Sequence, residues 1–128
     1  MTGPIAAPPS TASARTAWLT TLRGDGSPHT TPVWFVLTGD TLWIATSVSA
    51  VKARNVARDP RVSLAFDGTG DRPAVAEGRA EALPRPREHV EVLAAFAAKY
   101  DGWDAADEDP YGPRTLLRVT LTRWLMVP

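Results

Sequence analysis

The sequence predicts a mainly β domain whose strands close into a barrel. Three observations carry that prediction. Short stretches alternate apolar and polar residues, tight turns rich in Gly, Asp and Pro separate them, and only two segments have helical spacing. Six strands in one small antiparallel domain remove their exposed edges by closing on themselves. No internal repeat or second domain is visible. Residues 14–128 read as a single domain and residues 1–13 as a mobile arm, because three prolines among the first nine residues disfavour regular structure.

The elements follow in order. Residues 17–23 (AWLTTLR) form the first strand, and Gly24 to Pro28 (GDGSP) a hairpin turn in which Asp-Gly supplies the positive φ. Residues 29–37 (HTTPVWFVL) form the second strand. Thr38 to Asp40 turns again into the third, residues 41–46, giving an antiparallel meander. A helix spans Ser49 to Arg58. Ser47 or Ser49 caps it, and Pro60 ends it by disfavouring helical geometry at Asp59. Residues 61–68 and 74–83 are the fourth and fifth strands, with Gly78 marking a bulge or a close backbone approach.

The second helix covers residues 84–100, with Val90, Leu93, Ala94, Ala97 and Tyr100 on one stripe. An acidic, irregular loop leads to the last strand, residues 114–128. There Leu117, Val119, Leu121, Leu125 and Val127 share a face interrupted by Arg123, opposite Arg118, Thr120, Thr122 and Trp124.

Composition narrows the function classes. Fourteen basic residues balance fourteen acidic ones across 128 residues, which argues against a dedicated nucleic-acid binder. The absence of Cys excludes disulfides, Cys-ligated zinc and thiol catalysis, and suits a cytoplasmic protein. No apolar run approaches the ~20 residues of a membrane span, and the N-terminus lacks the basic and apolar regions of a signal peptide. No membrane partner is expected.

Side-chain chemistry is sparse. His29 and His89 lie far apart, one opening a strand and the other reading as a solvated helix residue. No metal-ligand pattern accompanies them. Asp101, Asp104, Asp107, Glu108 and Asp109 lack the Gly and terminal Glu of a calcium loop and read as a solvated loop. No nucleophile elbow or glycine-rich phosphate loop is present. No catalytic acid or base can be named. If the protein is an enzyme, a bound cofactor supplies the chemistry.

One stretch stands apart: residues 45–66, ATSVSAVKARNVARDPRVSLAF. A helix opening leaves N–H groups unpaired and is positively polarised, so it receives phosphate well. Thr46 and Ser47 place hydroxyls before that opening. Lys52 lies one turn in, with Asn55 three residues on, on the same side. Arg54 and Arg58 share another helix face, and Arg61 begins the next strand. A basic solvated surface helix accounts for the same spacing. Pro32 puts the second strand at an edge or beside a bulge, where backbone groups can meet a flat heterocycle. Trp34 and Trp43 offer stacking surface, or core or interface packing.

Three motifs, G-x-P-H-x-T-P-V-W-F, T-x5-K-A-R-N and D-P-R-V-x-L, run through residues 14–83, and residues 114–127 add a matching terminal strand. Together they resemble the pyridoxamine 5'-phosphate oxidase-like split β-barrel superfamily, in particular the flavin- and deazaflavin-dependent oxidoreductases of actinobacteria. The resemblance implies a six-stranded FMN-binding type of split barrel with two or three short helices. It also implies a homodimer with two cofactors in grooves between subunits. Thr46, Ser47, Lys52 and Asn55 would then hold the cofactor phosphate region. Pro32, Val33 and Trp34 would line the ring, with Arg54, Arg58 and Arg61 spread toward an anionic tail.

The pyridoxamine phosphate oxidases proper carry Arg-x4-Lys on the second strand where this chain has Thr30 and Phe35. They carry Ser-Arg-Lys where it has Ala50-Val51-Lys52. The resemblance therefore speaks against pyridoxamine oxidation. It implies an F420-dependent oxidoreductase acting on an unsaturated small molecule, ahead of an FMN-dependent one or a non-catalytic flavin, deazaflavin or haem carrier.

Overall fold

The computed structural model describes residues 9–38, 40–66 and 73–127. Most of the predicted arm (1–8), Gly39 of the second turn, Asp67 and Gly68 at the end of the predicted fourth strand, and Pro128 lie outside them. Seven strands form one antiparallel sheet: β1 (Ala17–Leu22), β2 (Pro28–Val33), β3 (Phe35–Thr38), β4 (Thr41–Ser47), β5 (Arg61–Phe66), β6 (Ala74–Pro84) and β7 (Arg114–Met126). Their order across the sheet is β2-β1-β5-β6-β7-β4-β3. The helices are α1 (Pro9–Ala12), α2 (Val51–Arg58) and α3 (Val90–Lys99), with a 3-10 turn at Pro86–Glu88 before α3.

The strand count is seven rather than the six expected, and Trp34 is the reason. It separates β2, which pairs with β1, from β3, which pairs with β4. The meander expected from the sequence is therefore two hairpins, and they sit at opposite edges of the sheet. One residue joins those edges. Two residues of extended chain reach only about 7 Å, so the sheet curls until its edges nearly meet at Trp34. That is a split barrel. Pro32 lies on the edge strand β2, facing Trp18, where a missing N–H costs no ladder bond.

The barrel interior is apolar. Leu19, Phe35, Leu42, Ile44, Leu64, Leu117, Val119 and Leu121 are all essentially inaccessible within it. Each such side chain contributes about 2 kcal/mol by leaving water. A second cluster lies outside the barrel, where α3 lays Val92, Phe96 and Tyr100 on Val36, Trp43 and Leu116. This corrects the expected helix stripe, since Val90 and Ala94 are exposed. Val92, Phe96 and Tyr100, four residues apart, carry far more apolar surface than the alanine row and win the buried face.

Two further expectations change. Pro9–Ala12 form a helical turn despite the prolines, since Pro at the first helical position loses no bond it would have made. In β7 the alternation holds through Leu121 and then shifts. Register breaks between Val75 and Ala76 and between Glu77 and Gly78 leave Thr122 and Leu125 as the extra residues of β7. Trp124 therefore packs toward the core while Leu125 and Val127 are exposed. Gly78 lies beside the bulge that Thr122 makes in β7, and it is also the close approach expected of it: a Cβ there would sit 2.5 Å from the Thr120 carbonyl oxygen.

Candidate functional site

Beside the seam lies a cavity of about 610 Å³ lined by residues from β2, β4, α2, β7 and the loop before β7. That volume suits a drug-sized or cofactor-sized molecule. Pro32, Val33 and Trp34 form one wall. The indole of Trp34 stacks on the Tyr100 ring with centroids 4.4 Å apart and planes 3° from parallel. Trp103 meets it edge-on at 5.1 Å. Trp34 is nevertheless 45% exposed, which leaves ring surface open to an incoming flat group.

Tyr100 fixes this wall. Its hydroxyl accepts the Phe35 N–H at 3.0 Å and lies within donating distance of the Arg15 and Phe35 carbonyls, at 2.9 and 3.0 Å. The Lys99 ammonium also donates to the Phe35 carbonyl at 3.0 Å and sits 3.6 Å above the Phe35 ring. The outward backbone groups of edge strand β3 are thus covered by the end of α3. Burial and the nearby Arg15 push the Lys99 amine down to about 8.

The opposite wall is cationic. Lys52 comes from the first turn of α2 and Arg114 opens β7. The ladder sets Ser47 opposite Arg114 and Thr46 opposite Thr115, which brings the start of β7 beside the end of β4. Burial and the Arg114 charge lower the proton affinity of Lys52, and burial does the same to Arg114 against the opposing charge of Asp107. Among the described residues no carboxylate forms a salt bridge with either cation. Arg114 donates only a long 3.3 Å bond to the Ala105 carbonyl and lies 5.8 Å from the Trp103 ring centre. Thr46 lines the same cavity, is 7% exposed, and its hydroxyl bonds to no other described residue.

The helix opening differs in detail from the expectation. Ala50 is the N-cap residue and no side chain caps α2. The Ser47 hydroxyl donates to the Tyr111 carbonyl at 2.7 Å, so it is spent on the loop before β7. The Ala50 carbonyl accepts from both Ala53 and Arg54, which leaves the Val51 and Lys52 N–H groups at the helix end.

The family model for pyridoxamine 5'-phosphate oxidase matches residues 9–128. The chain belongs to the pyridoxamine 5'-phosphate oxidase family. No curated protein matches it. Solved structures share the fold of this family member. A conserved hypothetical protein from Mycobacterium tuberculosis is 28% identical, with a TM-score of 0.73 over 94% of this chain and 84% of that one. An F420 reductase is 24% identical, with a TM-score of 0.68 over 90% of this chain and 93% of that one. A haem storage protein from Vibrio cholerae is 21% identical, with a TM-score of 0.73 over 89% and 87%. At these last two identities the likeness is one of fold. No helix of the described residues is long and apolar enough to cross a membrane.

In this member of the pyridoxamine 5'-phosphate oxidase family, Pro32, Val33, Trp34, Thr46 and Lys52 converge on one cavity, and Ser47, Arg54 and Asn55 do not line it. Asn55 is buried: its amide donates to the Thr21 hydroxyl at 3.0 Å and accepts from Arg58 at 2.9 Å. Arg54 points to solvent. Arg61 is held by Asp59 at 2.7 Å. Trp43 belongs to the packing beneath α3, its indole N–H donating to Thr38 at 2.7 Å. The sequence reading missed Thr16, Ala45, Trp103, Tyr111 and Arg114, all on the lining. Trp103 and Tyr111 lie on the acidic loop before β7, whose carboxylates had read as solvated. Arg114 carried no local signal, because only the β4–β7 register brings it to Lys52.

Proposed function

We propose that this protein is an oxidoreductase that binds the deazaflavin coenzyme F420 in the cavity between Trp34 and Lys52. The observation that carries the reading is the pairing of cations held in no salt bridge among the described residues with an open aromatic wall. An anionic group meets Lys52 and the Thr46 hydroxyl, and a planar ring system lies along Pro32, Val33 and Trp34. When bound, reduced F420 supplies a hydride for an unsaturated small molecule. The chain's own part is to bind, orient and shield. The edge backbone at Pro32 and Val33 faces the ring, and the Trp34–Tyr100 stack keeps that wall rigid.

The chain works as a homodimer with the cavities completed between subunits. The exposed apolar side chains Trp18, Trp34, Val48 and Val51 support this reading. An FMN-dependent enzyme of the same fold is the second reading, since the cavity's chemistry also suits a flavin phosphate. Haem carriage is less favoured, because neither His29 nor His89 lines the cavity.

Titration of the purified protein with F420 and FMN side by side tests the proposal. F420 binding, followed by oxidation of reduced F420 with some member of a broad acceptor panel, is the expected result. Tight FMN binding with no F420 binding shifts the assignment to flavin. F420 binding without turnover on any acceptor makes the protein a carrier.

A further inference from the structure

We propose that Arg15 is a positioning residue of the cavity. It clamps the Tyr100 ring on which Trp34 stacks, and so sets the angle of the wall against which a planar heteroaromatic ligand lies. The ligand part of the inference rests on the cavity reading above; the clamp itself does not.

Three contacts tie Arg15 to Lys99 and Tyr100. Its guanidinium donates to the Lys99 carbonyl at 2.6 Å and lies 4.8 Å from the Tyr100 ring centre, and its own carbonyl is 2.9 Å from the Tyr100 hydroxyl. The Lys99 carbonyl is one of the last of α3, which have no intrahelical donor, and a cation there meets the negative end of the helix. One residue therefore holds Tyr100 at both its ring and its hydroxyl. That ring in turn carries the Trp34 indole, stacked nearly parallel.

The chain brings this clamp to the cavity without placing Arg15 in it. Thr16, the next residue, lines the cavity, and Ala17 opens β1 opposite Val33, the residue before Trp34. Arg15 acts on a ligand only through Tyr100 and Trp34. An ion pair is the simpler account of an arginine at the surface, and Asp101 does lie 3.8 Å from the guanidinium. Both side chains are largely exposed, at 59% and 93%, so that pair contributes little. The cation over the ring and the bond to the helix end are the contacts that orient the wall.

The chain has two tyrosines, so protein isotope-labelled on its tyrosine rings gives NMR signals from Tyr100 and Tyr111 alone. In the wild type the indole stacked on Tyr100 should shift its ring protons upfield, and Trp34→Leu marks their unstacked position. Arg15→Ala should move the Tyr100 signals toward that position. It should also weaken whichever of F420 and FMN the wild type binds by about threefold to tenfold, in fluorescence titration. Arg15→Lys, which keeps the cation but not the forked donors, should fall between. Gly78→Ala is the control: it strains the β6–β7 pair away from the wall and should leave ring signals and affinity at wild-type values. Tyr100 signals unmoved in Arg15→Ala, an unchanged affinity, or an equal loss of affinity in Gly78→Ala overturns the proposal. If neither ligand binds the wild type, the F420 and flavin readings fail, and the ring signals alone decide the clamp.

Discussion

The Trp34 indole lies flat on the Tyr100 ring, 4.4 Å between centroids and 3° from parallel, and both residues sit where the two edges of the sheet meet. Tyr100 also holds the backbone of Phe35, the residue after Trp34. One helix end therefore fixes the seam and the cavity wall together. Tyr100→Phe keeps the stack but leaves the buried Phe35 N–H without its partner. A loss of about 1–3 kcal/mol in urea unfolding is expected. A loss under about 0.3 kcal/mol would show that the hydroxyl does not hold the seam.

Lys52→Ala should weaken cofactor binding about tenfold, because it removes a partly buried cation from the cavity. Arg118→Ala is the control: Arg118 pairs with Glu81 and does not line this cavity. Fluorescence titration of the two variants should give clearly different affinities, and equal values contradict the role of Lys52.

Gly78→Ala should cost about 1–3 kcal/mol, since the new methyl collides with the Thr120 carbonyl across the β6–β7 pair. The denaturation midpoint reads it directly. Gly26 has open space around the position of an added methyl but a φ of +85°, so Gly26→Ala should be penalised through backbone strain instead.

Lys99 should titrate near pH 8, far below the ordinary lysine range, in an NMR titration of its side chain. The sign of the stability effect follows. Between about 8 and 10.5 the unfolded chain keeps a proton that the folded chain has released, so this residue's contribution rises with pH and is lost as pH falls through 8. Lys99→Met should flatten that part of the stability profile. An unchanged profile would mean that Lys99 is solvated in solution.

Local chemistry was legible in the sequence, and long-range pairing was not. Pro32 announced an edge and Gly78 a bulge because each has one dominant physical cost. Thr46, Lys52 and residues 32–34, singled out from a helix opening and a broken strand, which are short-range features, line one cavity. The split at Trp34 was invisible, since nothing in a run such as TTPVWFV tells whether two halves pair with the same neighbour. Arg114 was invisible for a related reason: it depends on the register of strands β4 and β7, which lie far apart in sequence. Asn55 was misplaced because helical spacing put it beside Lys52, whereas a buried hydroxyl on Thr21 draws its amide inward.

The single-residue bridge at Trp34 leaves the chain no slack there. Inserting one residue would flip every side chain of a neighbouring strand to the wrong face, since the pleat repeats every two residues. Extra residues in the exposed Gly24–Gly26 turn would only lengthen a loop. Natural relatives with a working cavity should therefore vary in length at the first turn and keep a fixed count between Val33 and Phe35.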